Sequence, residues 1–394
     1  MSRIVFFCIP AHGHTNPTLG VVRELTTRGH QVWYYSYEML REKIEAAGAA
    51  FIPCDDFDME QRLSPKETAR VGKDLAFSTK ILVDTTLALD EKVCADMERL
   101  KPDCIVYDSM AVWGKAVALK LKIPLVCSTT TFAFNRHSAK IMKQSVGELL
   151  RMIRSMPKIS KDLQRLRDRG YQIGSVLELI GSDENCDTIV YTSPGFQPAS
   201  GTFSKKFAFV GPSIRPAEAV FQKTGETLVY ISMGTVNNDM MPLYQRCIAA
   251  LREASCQVVM SVGDLVPIEA FGDLPEHISV FSHVDQIAVL EQADVFVSHC
   301  GMNSVSESLY FGVPLVMLPQ TAEQRGVAER VSQLGAGMKL KKSDAASILE
   351  GIHTVLADDT YRKNAAVLAE GFRCCSGARG AADKILQVCE EKNR

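Results

Sequence analysis

Residues 293–320 read ADVFVSHCGMNSVSESLYFGVPLVMLPQ, and this stretch decides the fold. Val295 to Ser298 is a short β-rich apolar run of the kind that forms a buried parallel strand. A Gly-containing turn, a helical stretch and a second apolar run follow, so strand, turn, helix and strand succeed one another in about 25 residues. A helix that begins near Gly301 to Ser304 leaves backbone N–H groups unpaired at its positive end, where an anion satisfies both the donors and the dipole. A diphosphate suits such a place. His299, at the strand's carboxyl end, is placed to donate to the same phosphate, and Gly301 lets a ligand approach the backbone. Glu307 shares a helix face with Ser304, and a carboxylate there suits the two hydroxyls of a ribose. Each piece alone also fits a plain capped helix start. The ordered series HCGMNS, Glu307, GVPLVMLPQ and Glu323-Gln324 is more than packing demands.

Outward from this segment, β-rich runs alternate with helical patterns. The first half carries RIVFFCIP, QVWYYS, CIVYD, PLVCS, TIVYTS and FAFVG; after Gly211-Pro212 the alternation restarts with TLVYISMG, QVVMSVG, ISVF, DVFVS and PLVML. This predicts an α/β protein with two doubly wound parallel sheets. The connector SIRPAEAVFQKTGE has little apolar periodicity and reads as a linker. The expected divisions are 1–213, a linker at 214–226, 227–376, and an amphipathic terminal helix at 377–394.

Composition narrows the function classes. The chain has 394 residues, 46% hydrophobic and 23% charged, enough for two domains with separate cores. Lys plus Arg total 44 against 46 for Asp plus Glu, so no global charge excess points to nucleic acid or an anionic surface. The apolar segment Ile4 to Ile9 is too short for a signal core and stops at Pro10, which makes it a first strand. No run approaches the roughly 18 apolar residues of a membrane span. A cytoplasmic monomer or weak homodimer is expected. The twelve cysteines are scattered without a C-x-x-C pair and read as reduced core residues. Cys300 and the pair Cys374-Cys375 are the ones expected to react with oxidants or thiol reagents.

A candidate acid–base pair lies in the first half. In IPAHGHTNPTLGVVREL a helix can start near Pro17 with Asn16 as N-cap, leaving Gly13-His14 in a loop at a strand end. A histidine there titrates near neutrality and can take a proton from a hydroxyl. Asp108 ends the strand CIVYD and can fix the imidazole tautomer. Separately, a loop histidine also fits a solvated position, and a strand-end aspartate also fits the start of the next helix. His12 is the neighbouring alternative base.

Together these residues resemble the UDP-dependent family 1 glycosyltransferases, which include plant secondary-metabolite enzymes and bacterial macrolide glycosyltransferases. The likeness covers most of the chain. It implies the GT-B fold, two Rossmann-like domains facing a cleft, with the last helix, about Gly377 to Glu391, returning to the first domain. The family's G-H-x-x-P pattern matches Gly13, His14 and Pro17, so the base falls on His14 and its partner on Asp108. Ser232, Gly234 and Thr235 resemble the loop over the donor phosphates. His299, Gly301, Asn303 and Ser304 would hold the diphosphate, with His283, Val284 and Gln286 completing the nucleotide site. Glu307 would favour UDP over a deoxyribose carrier such as dTDP, and Glu323 and Gln324 would read the sugar hydroxyls, as in glucose-using members. His283, Met302 and Thr321 stand where plant members usually carry tryptophan, which weakens the uracil platform.

The implied reaction is an inverting, metal-independent transfer of a hexose, foremost glucose, from a UDP-sugar co-substrate to a small hydrophobic acceptor of phenolic, macrolide or flavonoid type. No cofactor is required, and no ligand set with credible metal spacing is present in the sequence. An epimerase or hydrolase on the same plan, or a silent nucleotide-sugar sensor, are the competing readings. Phe77, Phe132, Phe134, Met142 and Met152 are the acceptor-binding candidates. Residues 136–169 carry ten Lys or Arg against three Asp or Glu, which fits either a solvated face or a basic lid drawing in acidic acceptors.

Overall fold

The structure, a computed structural model, describes residues 1–54, 64, 67, 70, 74–135, 137, 138, 146–173, 175, 186–234 and 240–391, without the side chains of 146–153. Two compact units emerge: Met1–Tyr191 with Ala199–Ser213 and Ser376–Arg394, and Thr192–Pro198 with Ile214–Cys375.

The first unit is built on seven parallel strands, β1 (Arg3–Phe7), β2 (Gln31–Ser36), β3 (Ala50–Pro53), β4 (Cys104–Asp108), β5 (Leu125–Thr129), β6 (Asp187–Val190) and β7 (Phe207–Phe209), in the order 3-2-1-4-5-6-7. Its helices are α1 (His12–Thr27), α2 (Arg41–Ala46), α3 (Leu75–Leu100), α4 (Val112–Leu121) and α5 (Val146–Asp168). Strand alternation sorts the core into two layers. Val5, Phe7, Ile105 and Tyr107 face a cluster with Val93 and Met97 of α3, Val117 of α4 and Leu163 and Leu166 of α5. Ile4, Phe6, Cys104 and Val106 face the opposite cluster with Val21, Val22 and Leu25 of α1.

The second unit has six parallel strands, β8 (Leu228–Ser232), β9 (Gln257–Ser261), β10 (Ile278–Phe281), β11 (Val295–Ser298), β12 (Leu315–Met317) and β13 (Gly337–Lys339), in the order 10-9-8-11-12-13. Around them lie α6 (Met241–Leu251), α7 (Gln286–Leu290), α8 (Met302–Tyr310), α9 (Ala322–Gln333), α10 (Ala345–Ala357) and α11 (Asp359–Arg373). Val229, Ile231, Val295, Val297 and Val316 share a core with α6 and α10. Near-continuous apolar runs such as LVYIS and VFVS are what a sheet covered on both faces requires. The chain ends in α12 (Gly377–Glu391), whose Ala381, Ala382 and Ile385 join the α1 layer of the first unit.

Both sheets reverse strand order once, between β1 and β4 and between β8 and β11. Open α/β sheets bind ligands beyond the strand carboxyl ends at such a reversal.

Four local expectations are corrected. α1 begins at His12, not near Pro17: Ala11 is extended (φ −132°, ψ 124°) and its carbonyl accepts from both His14 and Thr15 at 3.0 Å. Asn16 is therefore no cap, Pro17 lies inside the helix, and His14 sits in its first turn instead of a loop. Residues 214–226 are bonded into the second unit, through Arg215 to Asp285 at 2.6 Å, Lys223 to Asp294 at 2.5 Å, and the Thr224 amide to Gln257 at 2.8 Å. Thr192–Pro198, placed by sequence in the first domain, joins the second, where Arg330 donates to the carbonyls of Phe196 and Gly195 at 2.8 Å. Cys300 is fully buried and burial pushes its thiol up, so it is a poor nucleophile; Cys374 is exposed.

Candidate active site

In the first unit the reversal point holds a histidine–aspartate pair. Phe7 pairs with Tyr107 in register, so the chain leaving β1 and the end of β4 are adjacent. His14 Nδ1 lies 2.7 Å from Asp108 Oδ2. The Asp108 carboxylate is buried, and its other oxygen accepts from the Met110 amide at 2.8 Å. A carboxylate only accepts, so Nδ1 carries the proton and Nε2 is left as the basic nitrogen. The His14 side chain keeps 21% of its exposure, against 1% for Asp108. One end of the pair is thus locked and the other is reachable. Thr130, just beyond β5, places its hydroxyl 3.3 Å from His14 Nδ1. The sequence reading missed it, although it too follows a strand beside the reversal point.

In the second unit Ser232 and Ser298 are register partners at the ends of β8 and β11, which brings two loops together. The His299 imidazole lies between two glycines: a Cβ added to Gly234 would come within 2.6 Å of its Cε1, and one added to Gly301 within 2.6 Å of its Nε2. Gly234 also has φ +82°, and Cys300 takes the left-handed conformation at φ +69°. Burial pushes His299 down to about 4, against a small upward pull from the Ser232 backbone. It is therefore neutral at physiological pH and serves as a hydrogen-bonding group instead of a cation. Gly301 caps α8 without a side-chain bond, and Val305 is the first residue whose amide reaches back to the Gly301 carbonyl, at 3.0 Å. The amides of the preceding turn lie ahead of that bond, at the positive end of the helix.

Gln286, the first residue of α7, ties the ribose candidates together. Its Nε2 donates to Glu307 Oε2 at 2.5 Å and to Ser304 Oγ at 3.4 Å, while its Oε1 accepts from the Tyr230 hydroxyl at 3.1 Å. Asp285 caps α7 and accepts from Arg215 at 2.6 Å and from the Glu218 and Ala219 amides. Burial works against its charge, but Arg215 and those amides hold it at about 2. Glu307 is pushed the other way. Burial raises it above the usual carboxylate range, with Gln286 and Arg215 only partly opposing.

That shift sets a sign. An acid whose folded pKa is raised lowers stability as pH climbs from the ordinary carboxylate range through the raised value, because the unfolded chain releases its proton first. Glu307→Gln should therefore raise the melting temperature of the unliganded protein at pH 7.5 and change it little at pH 4. The same variant should weaken UDP by about tenfold or more, since hydrogen bonds to a charged group are the strong ones. A variant that melts lower at pH 7.5 would contradict the assignment.

Residues 202–372 match the family described as UDP-glucoronosyl and UDP-glucosyl transferase. The NDP-glycosyltransferase YjiC of Bacillus licheniformis is 32% identical over 395 residues, covering 97% of this chain and 96% of its own. The chain belongs to this glycosyltransferase family. Demethyllactenocin mycarosyltransferase of Streptomyces fradiae is 30% identical, over 98% of this chain and 86% of its own. The crystal structure of the glycotransferase of kitacinnamycin superposes with a TM-score of 0.85 at 24% identity, over 98% of each chain. That likeness is one of fold, and the fold of this glycosyltransferase is GT-B.

The remaining site candidates of the glycosyltransferase fall into three groups. At the start of α9, Thr321 and Gln324 form a reciprocal capping box, and Glu323 is exposed beside them. The T-x-x-Q spacing announces such a box in the sequence, a signal the motif reading passed over. His283 is exposed, with Nε2 2.9 Å from Asp264, and Val284 and Asn303 are partly buried. Of the acceptor candidates, Phe132 is buried and Phe134 partly so, while Phe77 lies in the first turn of α3 with the Arg70 guanidinium 4.2 Å over its ring. Thr235, Met142 and the side chain of Met152 lie outside the described residues. On α5, Ile159, Leu163 and Leu166 are buried, whereas Arg154, Lys158, Lys161 and Arg165 are exposed, with Arg165 2.7 Å from Asp84. Among the described residues no three His, Cys, Asp or Glu side chains converge as metal ligands, and no helix is long and apolar enough to cross a membrane.

Proposed function

We propose that this glycosyltransferase moves a hexose, glucose foremost, from a UDP-sugar to a hydroxyl of a small hydrophobic acceptor, with inversion. The 2.7 Å contact between His14 and the buried Asp108 carries the reading. The acceptor hydroxyl gives its proton to His14 Nε2 as its oxygen forms a bond to the anomeric carbon, and Asp108 stabilises the imidazolium. The bond from that carbon to the diphosphate oxygen breaks, and the electron pair leaves with UDP. Donors at the start of α8, with His299, meet the charge that develops there. Attack from the face opposite UDP turns an α-linked donor into a β-glycoside.

Glu307, held by Gln286, takes the ribose hydroxyls and so favours UDP over dTDP. No step is assigned to a metal. The acceptor is phenolic, macrolide or flavonoid-like, received by the first unit. The test is a mass-spectrometric screen of mixed hydroxylated aglycones with UDP-glucose and with dTDP-glucose, each with and without acceptor. A product heavier by one hexose, formed faster from UDP-glucose, supports the proposal. Donor consumption that is equal without acceptor overturns it in favour of a hydrolase or epimerase.

A further inference from the structure

We propose that the capping box at the start of α9, closed by the Thr321 hydroxyl, turns the Gln324 carboxamide so that only its NH2 group faces the donor sugar, which makes Thr321 a positioning residue. The proposal rests on the UDP-sugar reading above.

The geometry fixes the orientation of the amide. Gln324 Oε1 accepts from two backbone amides, Gln320 at 2.8 Å and Thr321 at 3.0 Å. An NH2 group has no lone pair to offer an N–H donor, so the oxygen must occupy that end. The Thr321 hydroxyl accepts from the Gln324 backbone amide at 3.2 Å and closes the box. Gln320 is itself anchored, its Nε2 donating to the Leu318 carbonyl at 2.7 Å. The loop between β12 and α9 is thereby held at three points, and the direction of the carboxamide follows from it.

The consequence is a polarity. Gln324 can donate to a sugar hydroxyl but cannot accept from one, because its oxygen is committed to the backbone. A hydroxyl accepts such a bond and a deoxy position does not, so the arrangement selects for a hydroxylated hexose.

Three variants separate this role from simple helix capping, each read by calorimetry with UDP-glucose and with UDP. Thr321→Val keeps the side-chain volume and loses the acceptor. It should weaken UDP-glucose about five- to tenfold, the worth of one neutral hydrogen bond, and leave UDP unchanged. Thr321→Ser should restore wild-type behaviour. Gln324→Glu keeps the acceptor that completes the box, so the melting temperature should hold, but it has no NH2 group, and UDP-glucose should weaken about tenfold or more with UDP unchanged.

A Thr321→Val protein that melts lower yet keeps the wild-type ratio of UDP-glucose to UDP affinity would reduce the residue to a cap and overturn the proposal. Equal weakening of both ligands would overturn it as well. A wild-type protein that binds neither ligand overturns the donor reading itself, whereas a wild-type preference for UDP-glucose that survives in Thr321→Val and Gln324→Glu overturns only the positioning role.

Discussion

His14→Ala is expected to lower kcat by about 10³-fold with an aliphatic hydroxyl acceptor, the middle of the range for a positioned general base. UDP affinity should be unchanged, because the donor candidates all lie in the second unit. The loss should shrink for a phenol of low pKa, whose proton leaves with less help. Asp108→Asn should cost about 10²-fold or more by a different route. Its amide can donate to Nδ1, which favours the tautomer with the proton on Nε2 and leaves the basic nitrogen in a minor population only. Rates across pH separate the two effects: the alanine variant should lose the ascending limb, and the asparagine variant should retain a weakened one. Turnover of an aliphatic acceptor that stays at the wild-type rate in His14→Ala, with UDP still bound, would remove His14 as the base.

The second large effect belongs to the glycine pair around His299. Gly234→Ala faces two penalties at once, a left-handed backbone at φ +82°, which costs an L-residue about 1–2 kcal/mol, and a Cβ 2.6 Å from the imidazole. Gly301→Ala meets only the second, since its φ is −60°. The ring is largely buried and is met from both sides, so an added methyl group displaces it or the backbone that carries it. Gly234→Ala should therefore weaken UDP by about 100-fold and Gly301→Ala by about tenfold, from losses of about 3 and 1.5 kcal/mol. In a His299→Ala background the clash is gone, and Gly301→Ala should then cost almost nothing further. Such non-additivity is the mark of direct contact. Full additivity in calorimetric titrations would show that the glycines serve something other than the ring.

Legibility in the sequence followed the physics of each element. β4, β8 and β11 carry unbroken apolar runs because both faces are covered, and such runs announce buried strands. β3 and β13 are edge strands, AFIP and GMK, in which Pro53 and Gly337 interrupt the β-rich apolar pattern. The start of α1 was misjudged because Pro17 and Asn16 look like a helix entry, whereas the bonds that start the helix are made by the backbone of Ala11, which has no side-chain signature. The expected partnership of His14 with Asp108 needs only that their strands be neighbours, and the strand order provides that. Gln286 and Glu307 were both named as ligand contacts, but the bond between them was not. Their juxtaposition depends on α7 meeting α8, a tertiary fact with no trace in spacing.

The last helix bears on how enzymes of this kind can be recombined. α12 follows the second unit in the chain, yet Ala381, Ala382 and Ile385 complete the layer built by Val21, Val22 and Leu25, and Lys384 reaches Asp187 at 2.5 Å. A hybrid made by a single crossover after Ser213 would pair one parent's α1 with the other parent's α12 and mismatch that apolar seam. A sound exchange of donor specificity would import residues 214–375, keep the native tail, and carry over Thr192–Pro198 to satisfy Arg330 and the Phe372 ring. The natural module is a discontinuous cassette, flanked on both sides in the chain by segments of the first unit.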